Sequence, residues 1–99
     1  DRVYFDKTRA QIIENRAYTA AELKKRGFAM TDSRANFLFA RSDRMSGRDY
    51  YDGLRERGVL VRYFDKTRIY DYVRITIGSR AEMDALIAAT DDLLAEREA

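Results

Sequence analysis

The 99-residue sequence contains no cysteine and no histidine. Without cysteine, the chain has neither a disulfide framework nor a thiolate nucleophile. Without histidine, it has no imidazole for acid-base catalysis, and zinc or iron sites built on these ligands are excluded within the chain. We therefore expect no metal site and no self-contained set of catalytic residues.

The sequence also lacks long apolar runs and a one-sided charge. No apolar run approaches the roughly 20 residues that a membrane helix needs, and no charged-then-apolar signal segment opens the chain. Lysine and arginine number 19 against 17 aspartate and glutamate residues, and the two signs are interleaved. A contiguous cationic surface for nucleic acid is therefore not expected. We expect a cytoplasmic protein with neither a nucleic-acid nor a membrane partner.

Proline is absent as well, which leaves five glycines to separate the predicted elements. A chain of this length suits one domain that buries roughly 60 to 70% of the surface its unfolded form exposes. Helix formers at helical spacing predict a long helix over residues 3–26, stopped by Gly27. At about 1.5 Å per residue this helix is longer than such a core, so Tyr4 and Phe5 should overhang it and meet a missing neighbour.

The rest of the sequence predicts four strands and two further helices. Ser46 begins a helix that ends at Gly58, and Ser79 with Glu82 forms a capping box for the last helix rather than a catalytic pair. Strands are predicted at residues 28–30, 35–40, 59–64 and 72–77, with a turn at 31–33 and an exposed loop at 65–71. We therefore predict an α+β fold: a two-layer sandwich in which a small, mostly antiparallel sheet of three to four strands carries helices on one face.

The last two predicted strands each carry an arginine inside an apolar run, Arg62 and Arg74. Desolvating an unpaired guanidinium is costly, so an anionic partner is expected. Side chains two residues apart share a face of a strand. If the aliphatic rows of both strands face the core, both arginines emerge together on the uncovered face, framed by Tyr72, Leu60 and Phe64.

Two interpretations of these arginines are open. They could pair with aspartate or glutamate of the same chain, or extend to water. Alternatively, they could capture a carboxylate or phosphate in a bidentate manner, for which the planar guanidinium is well shaped. The second interpretation makes the uncovered face a binding site for an anionic small molecule.

The stretch LRERGVLVRYFDKTRIYDYVRITIG, followed by SRAEMDALIAA, resembles the C-terminal segment of histidinol-phosphate aminotransferases. Upstream, RGFAMTDSRANFLFAR resembles the helix end, loop and strand of the same enzymes, and IIENRAYTAAELKKRGF is similar to their long helix leading into the small domain. They belong to the pyridoxal-phosphate aminotransferases of aspartate-aminotransferase fold. The resemblance covers nearly the whole chain, and its most specific part is the R-G-V-L-V-R segment together with R-I-T-I-G.

This resemblance implies that residues 1–99 form a single C-terminal small domain, with residues 1–26 as the helix leading in from a large domain that the sequence lacks. It assigns Arg74 to the anionic end of the substrate, with Arg62 near the same pocket. The phosphate of histidinol phosphate stands where an amino acid has its carboxylate. One arginine would therefore serve that phosphate and the α-carboxylate of glutamate in alternate half-reactions.

The resemblance also implies pyridoxal phosphate as the cofactor of an intact, homodimeric enzyme of histidine biosynthesis. The S-K-x-x-G-like lysine motif that bears the cofactor is not in this sequence. The four lysines stand in settings unlike that motif; they are Lys7, Lys24, Lys25 and Lys66. We expect no catalytic and no cofactor-binding residue in this chain, no cofactor bound to it, and no activity of the chain alone.

Two other functions remain open at this point. A stand-alone regulatory α+β module that binds a small molecule would suit the length and the arginine-bearing face, although the overhanging helix and the chain-wide resemblance disfavour it. A small domain of an aromatic or aspartate-type aminotransferase is the other alternative, because an anion-binding arginine is common to many of these enzymes.

Overall fold

A computed structural model describes residues 2–34, 36–64 and 71–98, with side chains described at 8–31, 36–64 and 71–98. Its helices are α1 (Arg2–Lys25), α2 (Gly47–Glu56) and α3 (Arg80–Glu98). Its strands are β1 (Phe28–Arg34), β2 (Phe37–Ser42), β3 (Arg62–Tyr63) and β4 (Val73–Thr76). Over the described ranges the strands pair antiparallel in the order β1-β2-β4-β3. The predicted α+β class is confirmed.

The helices cover one face of the sheet. Helix α1 packs on β1 and β2, α2 packs on β3 and β4, and α3 packs against both other helices. Alternation along the central strands places their small and aliphatic side chains on the helical side, where they are 0–1% exposed: Leu38, Ala40, Val73 and Ile75. Leu23, Leu54 and Leu86 contribute one fully buried leucine from each helix. This core leaves the other face of the sheet without helices from the described part of the chain.

The predicted helix ends are confirmed by their hydrogen bonds. The Ser46 hydroxyl accepts a 3.1 Å hydrogen bond from the backbone N–H of Asp49. At the start of α3, the Ser79 N–H donates to the Glu82 carboxylate at 2.8 Å, and the Glu82 N–H donates to the Ser79 hydroxyl at 3.1 Å. This reciprocal pair is the capping box. Gly58 follows α2 with φ of +79°, a left-handed conformation that favours glycine.

The predicted strand at 59–64 is wrong in length, because β3 comprises only Arg62–Tyr63. The Val59 N–H donates to the Leu54 carbonyl at 2.9 Å, so Val59 closes the end of α2 instead of joining the ladder. Val59 and Val61 still pack on the core. Their apolar character therefore reflects burial beside the sheet and not strand pairing.

The predicted turn at 31–33 is also wrong, because β1 continues to Arg34. The register of β1 against β2 shifts between Thr31 and Arg34, so this edge strand contains an irregularity of the bulge type. A bulge accommodates polar residues at an edge without ending the strand. Strand β2 correspondingly starts later than predicted and runs to Ser42.

The long first helix is confirmed to within one residue at each end. Its C-terminal half is anchored by buried Thr19 and Leu23. The predicted overhang of Tyr4 and Phe5 concerns side chains outside the described residues. The predicted loop at 65–71 likewise lies outside them, except for its last residue.

Candidate anion-binding face

The side of the sheet opposite the helices carries two arginines among aromatic rings. We call this set the outer face; it comprises Phe37, Phe39, Arg62, Phe64, Tyr72 and Arg74. The Cα of Arg74 is paired with Phe39 on one side and with Arg62 on the other. The predicted sharing of one face by Arg62 and Arg74 is therefore confirmed by the strand register, which makes them direct cross-strand neighbours.

Arg74 lies between two phenyl rings. Its guanidinium carbon is 5.4 Å from the ring centroid of Phe37 and 5.8 Å from that of Phe64. Both distances fall within the range of cation–π attraction. Phe37 of β2 sits diagonally across the ladder from Arg74, and Phe64 directly follows β3 on the other side, at a spacing that aromatic side chains span. The guanidinium is thus held over the sheet in the gap between two apolar surfaces.

The Nε of Arg74 is buried and has no hydrogen-bond partner among the described residues. An unsatisfied buried donor costs about 1–3 kcal/mol, and more for a charged group. A planar guanidinium presents Nε–H beside a terminal N–H in the geometry of a carboxylate or phosphate edge. The arrangement therefore suits an anionic acceptor supplied from outside the described residues.

The described part of the chain supplies no carboxylate to Arg62 or Arg74. Other arginines do have such partners: Arg26 approaches Asp91 at 2.6 Å, and Arg97 approaches Asp49 at 3.0 Å. Like charges directly opposite each other in a ladder are destabilising. Pairing with a carboxylate, one form of the alternative considered for the two arginines, is not found among the residues described. Arg62 is exposed, as the other form, extension to water, requires.

Phe39 connects the aromatic side chains of this face. Its ring centroid lies 5.6 Å from Phe37, 5.9 Å from Phe64 and 6.5 Å from Tyr72. The contacts with Phe37 and Tyr72 are edge-to-face, an arrangement that aromatic pairs prefer. These rings are half-buried, and an apolar surround of this kind lowers the local dielectric and strengthens the attraction of a guanidinium for an anion.

The sequence identified only part of this surround. Phe64 and Tyr72 lie on the outer face as predicted, whereas Leu60 precedes the ladder and is 79% exposed. Phe37 and Phe39 were not assigned to the face. The alternation Phe37-Leu38-Phe39-Ala40 was the available signal, since a strand with small and aliphatic residues inward must carry both phenylalanines outward.

The described residues do not fit a pyridoxal-phosphate site. Both lysines whose side chains are described, Lys24 and Lys25, lie exposed in the last turn of α1, and Lys25 pairs with Glu22 at 2.9 Å. A lysine that holds this cofactor needs a desolvated amine facing it. The side chains of Lys7 and Lys66 lie outside the described residues.

Two further features are absent from the described ranges. They contain no cluster of three or more carboxylates able to hold a metal ion. Within the same ranges, no helix combines the length and the apolar character needed to cross a membrane.

Comparison with known proteins identifies the family of this chain. A family model described as aminotransferase class I and II matches residues 1–89. Histidinol-phosphate aminotransferase 2 of Rhizobium meliloti is 49% identical over 94 residues, which cover 95% of this chain and 27% of that protein. Histidinol-phosphate aminotransferase of Chromohalobacter salexigens is 45% identical over 91 residues, covering 92% of this chain and 26% of that protein.

A solved structure shows the same fold. The histidinol-phosphate aminotransferase from Clostridium acetobutylicum superposes with a TM-score of 0.84 at 24% identity, over 97% of this chain and 30% of that one. This chain spans about a quarter of the length of the curated relatives it matches, as the shares of 27% and 26% show. The family model covers most of the sequence, and the chain therefore belongs to the class I and II aminotransferases.

Proposed function

We propose that this chain is the C-terminal small domain of a histidinol-phosphate aminotransferase and that its outer face binds the anionic end of the substrates. Arg74 is the principal anion ligand, and Arg62 is a second positive charge at the same site. The proposal is carried by the buried Nε of Arg74, which finds no hydrogen-bond partner in the described part of the chain. The 49% identical relative from Rhizobium meliloti supports the choice of reaction.

The proposed reaction is reversible amino transfer between histidinol phosphate with 2-oxoglutarate and imidazole-acetol phosphate with glutamate. The substrates share an anionic group at one end, a phosphate in one pair and a carboxylate in the other. The Nε–H and a terminal N–H of Arg74 would donate to two oxygens of either group. Arg62, directly across the ladder, adds charge that favours the more highly charged phosphate.

The cofactor belongs to another part of the proposed intact enzyme. Pyridoxal phosphate supplies the electron sink of amino transfer, and the described residues do not fit it. In this proposal a large domain of the same protein holds the cofactor, the intact enzyme is a cytoplasmic homodimer, and the outer face closes the substrate site. Adding pyridoxal phosphate to this chain alone should then produce neither activity nor the visible absorbance of a lysine-bound cofactor.

Steady-state kinetics of the intact enzyme with Arg74→Lys tests the role of the arginine. Lysine keeps the charge but loses the bidentate fork, at a cost of on the order of 2 kcal/mol. This corresponds to about a 30-fold loss of kcat/KM for both histidinol phosphate and glutamate. Arg55→Lys is the matched control, because Arg55 is exposed on α2. Unchanged kinetics of Arg74→Lys with both substrates would remove Arg74 from the site.

A further inference from the structure

One phenyl ring lies against both arginines of the outer face. The ring centroid of Phe64 is 5.7 Å from the guanidinium carbon of Arg62 and 5.8 Å from that of Arg74. Among the described residues, Arg62 contacts no other ring, whereas Arg74 also contacts Phe37. Phe64 is thus the aromatic side chain common to the two cations.

The charges of the two arginines have no counter-ion within the described part of the chain, so another group must hold the guanidinium groups together. Arg62 and Arg74 are direct cross-strand partners of like charge, and no carboxylate of the described residues pairs with either. Their mutual repulsion favours rotamers that move the guanidinium groups apart. The negative face of an aromatic ring attracts both groups and opposes that separation.

The ring is itself held in place by the sheet. Phe64 follows β3 directly and packs at 5.9 Å against Phe39 of β2, which is paired with Arg74. Since phenylalanine has two rotatable side-chain bonds and a rigid ring, packing on Phe39 fixes the surface on which the arginines lie. The position of the ring then limits the positions of both guanidinium groups.

We propose that Phe64 is a positioning residue that holds Arg62 and Arg74 together for one doubly charged anion, an inference that rests on the proposed function of the outer face. Phe64 touches no reacting atom in this account. It acts through the arginines, and its loss weakens phosphate binding chiefly by releasing Arg62, which keeps no other aromatic contact within residues 36–64 and 71–98. Phe37 has the narrower role of positioning Arg74 alone.

Double-mutant cycles in the intact enzyme test this inference, with KM and kcat for histidinol phosphate as the readout. Phe64→Leu should raise KM about fivefold and leave kcat within about twofold, since a lost cation–π contact changes affinity on this scale. Phe64→Tyr keeps the ring, so its KM should remain at the wild-type value. Phe37→Leu is the matched control on the other side of Arg74.

The pattern of coupling identifies the positioning role. The effect of Phe64→Leu should shrink when either Arg62→Gln or Arg74→Gln is already present, whereas that of Phe37→Leu should shrink only with Arg74→Gln. The inference would be overturned if the rise in KM from Phe64→Leu adds fully to that of both arginine variants, or if Phe64→Tyr also raises KM. Either result would mean that the ring has only a structural role. If both arginine variants leave KM unchanged, the proposed function itself fails, and the inference fails with it.

Discussion

The buried hydrogen bond between α2 and α3 predicts an unequal cost for removing its two partners. Tyr50 is 2% exposed and Thr90 is 0% exposed, and their hydroxyl oxygens are 2.8 Å apart. The Thr90 hydroxyl also donates to the Leu86 carbonyl at 2.8 Å. Because a threonine hydroxyl has a single proton, the Tyr50 hydroxyl must be the donor between the two residues.

The direction of this hydrogen bond determines how much each variant should lower the free energy of unfolding. Thr90→Val leaves the Tyr50 O–H buried without an acceptor and should lower the free energy of unfolding by about 2–3 kcal/mol. Tyr50→Phe removes the donor while Thr90 keeps its bond to Leu86, so its cost should be about 1 kcal/mol. The double variant removes both partners and should cost less than the sum of the single variants.

Urea unfolding followed by circular dichroism measures all three variants against the wild type. A Thr90→Val cost no greater than that of Tyr50→Phe, with additive behaviour in the double variant, would refute the hydrogen-bond assignment.

The pH dependence offers a second check. Burial raises the pKa of the Tyr50 phenol in the folded state, so the stability linked to its protonation is complete below the unfolded value near 10 and is lost as pH rises above it. Tyr50→Phe should reduce this alkaline loss of stability.

Substitutions at three further positions test the helix ends. Ser79→Ala removes the hydroxyl that accepts from the Glu82 N–H and should lower the free energy of unfolding by about 1 kcal/mol in urea titrations. The hydrogen bond from the Ser79 N–H lowers the pKa of Glu82, so its stabilisation is present above the unfolded pKa near 4 and is lost at lower pH. Thermal melts of Glu82→Gln and wild type should therefore converge on acidification, and a constant difference would contradict the cap. An alanine side chain at Gly58 would meet no atom within 4 Å, but the backbone there has φ of +79°. Gly58→Ala should therefore destabilise the fold by about 1 kcal/mol, and Gly58→Asn should destabilise it less. Equal melting temperatures of these variants and the wild type would show that the backbone is not strained at this position.

Helix limits were predictable because their signals are local. The Ser46 and Ser79 caps and the stop at Gly58 depend on residues within one turn of each helix end. Strand limits were less predictable because pairing depends on distant partners. Val59 looks like a strand residue, yet its N–H bonds to Leu54.

The site was predictable to a similar extent. The period of two placed Arg62 and Arg74 on one face without knowledge of the strand order. The alternation also indicated Phe64 and Tyr72, whereas the places of Phe37 and Phe39 depended on β2 lying beside β4, a pairing that joins Phe39 to Arg74 across 35 positions of sequence. Phe64 was predicted on this face, but its contact with both arginines was not predictable, since that contact depends on the coordinates of three side chains at once.

A crystal structure of the intact enzyme with histidinol phosphate tests the central claim most directly. The account predicts phosphate oxygens about 2.7–2.9 Å from the Nε and a terminal nitrogen of Arg74, with the Arg62 guanidinium beside the same phosphate. A phosphate bound elsewhere, with the Arg74 guanidinium paired instead to a carboxylate of the enzyme, would contradict it.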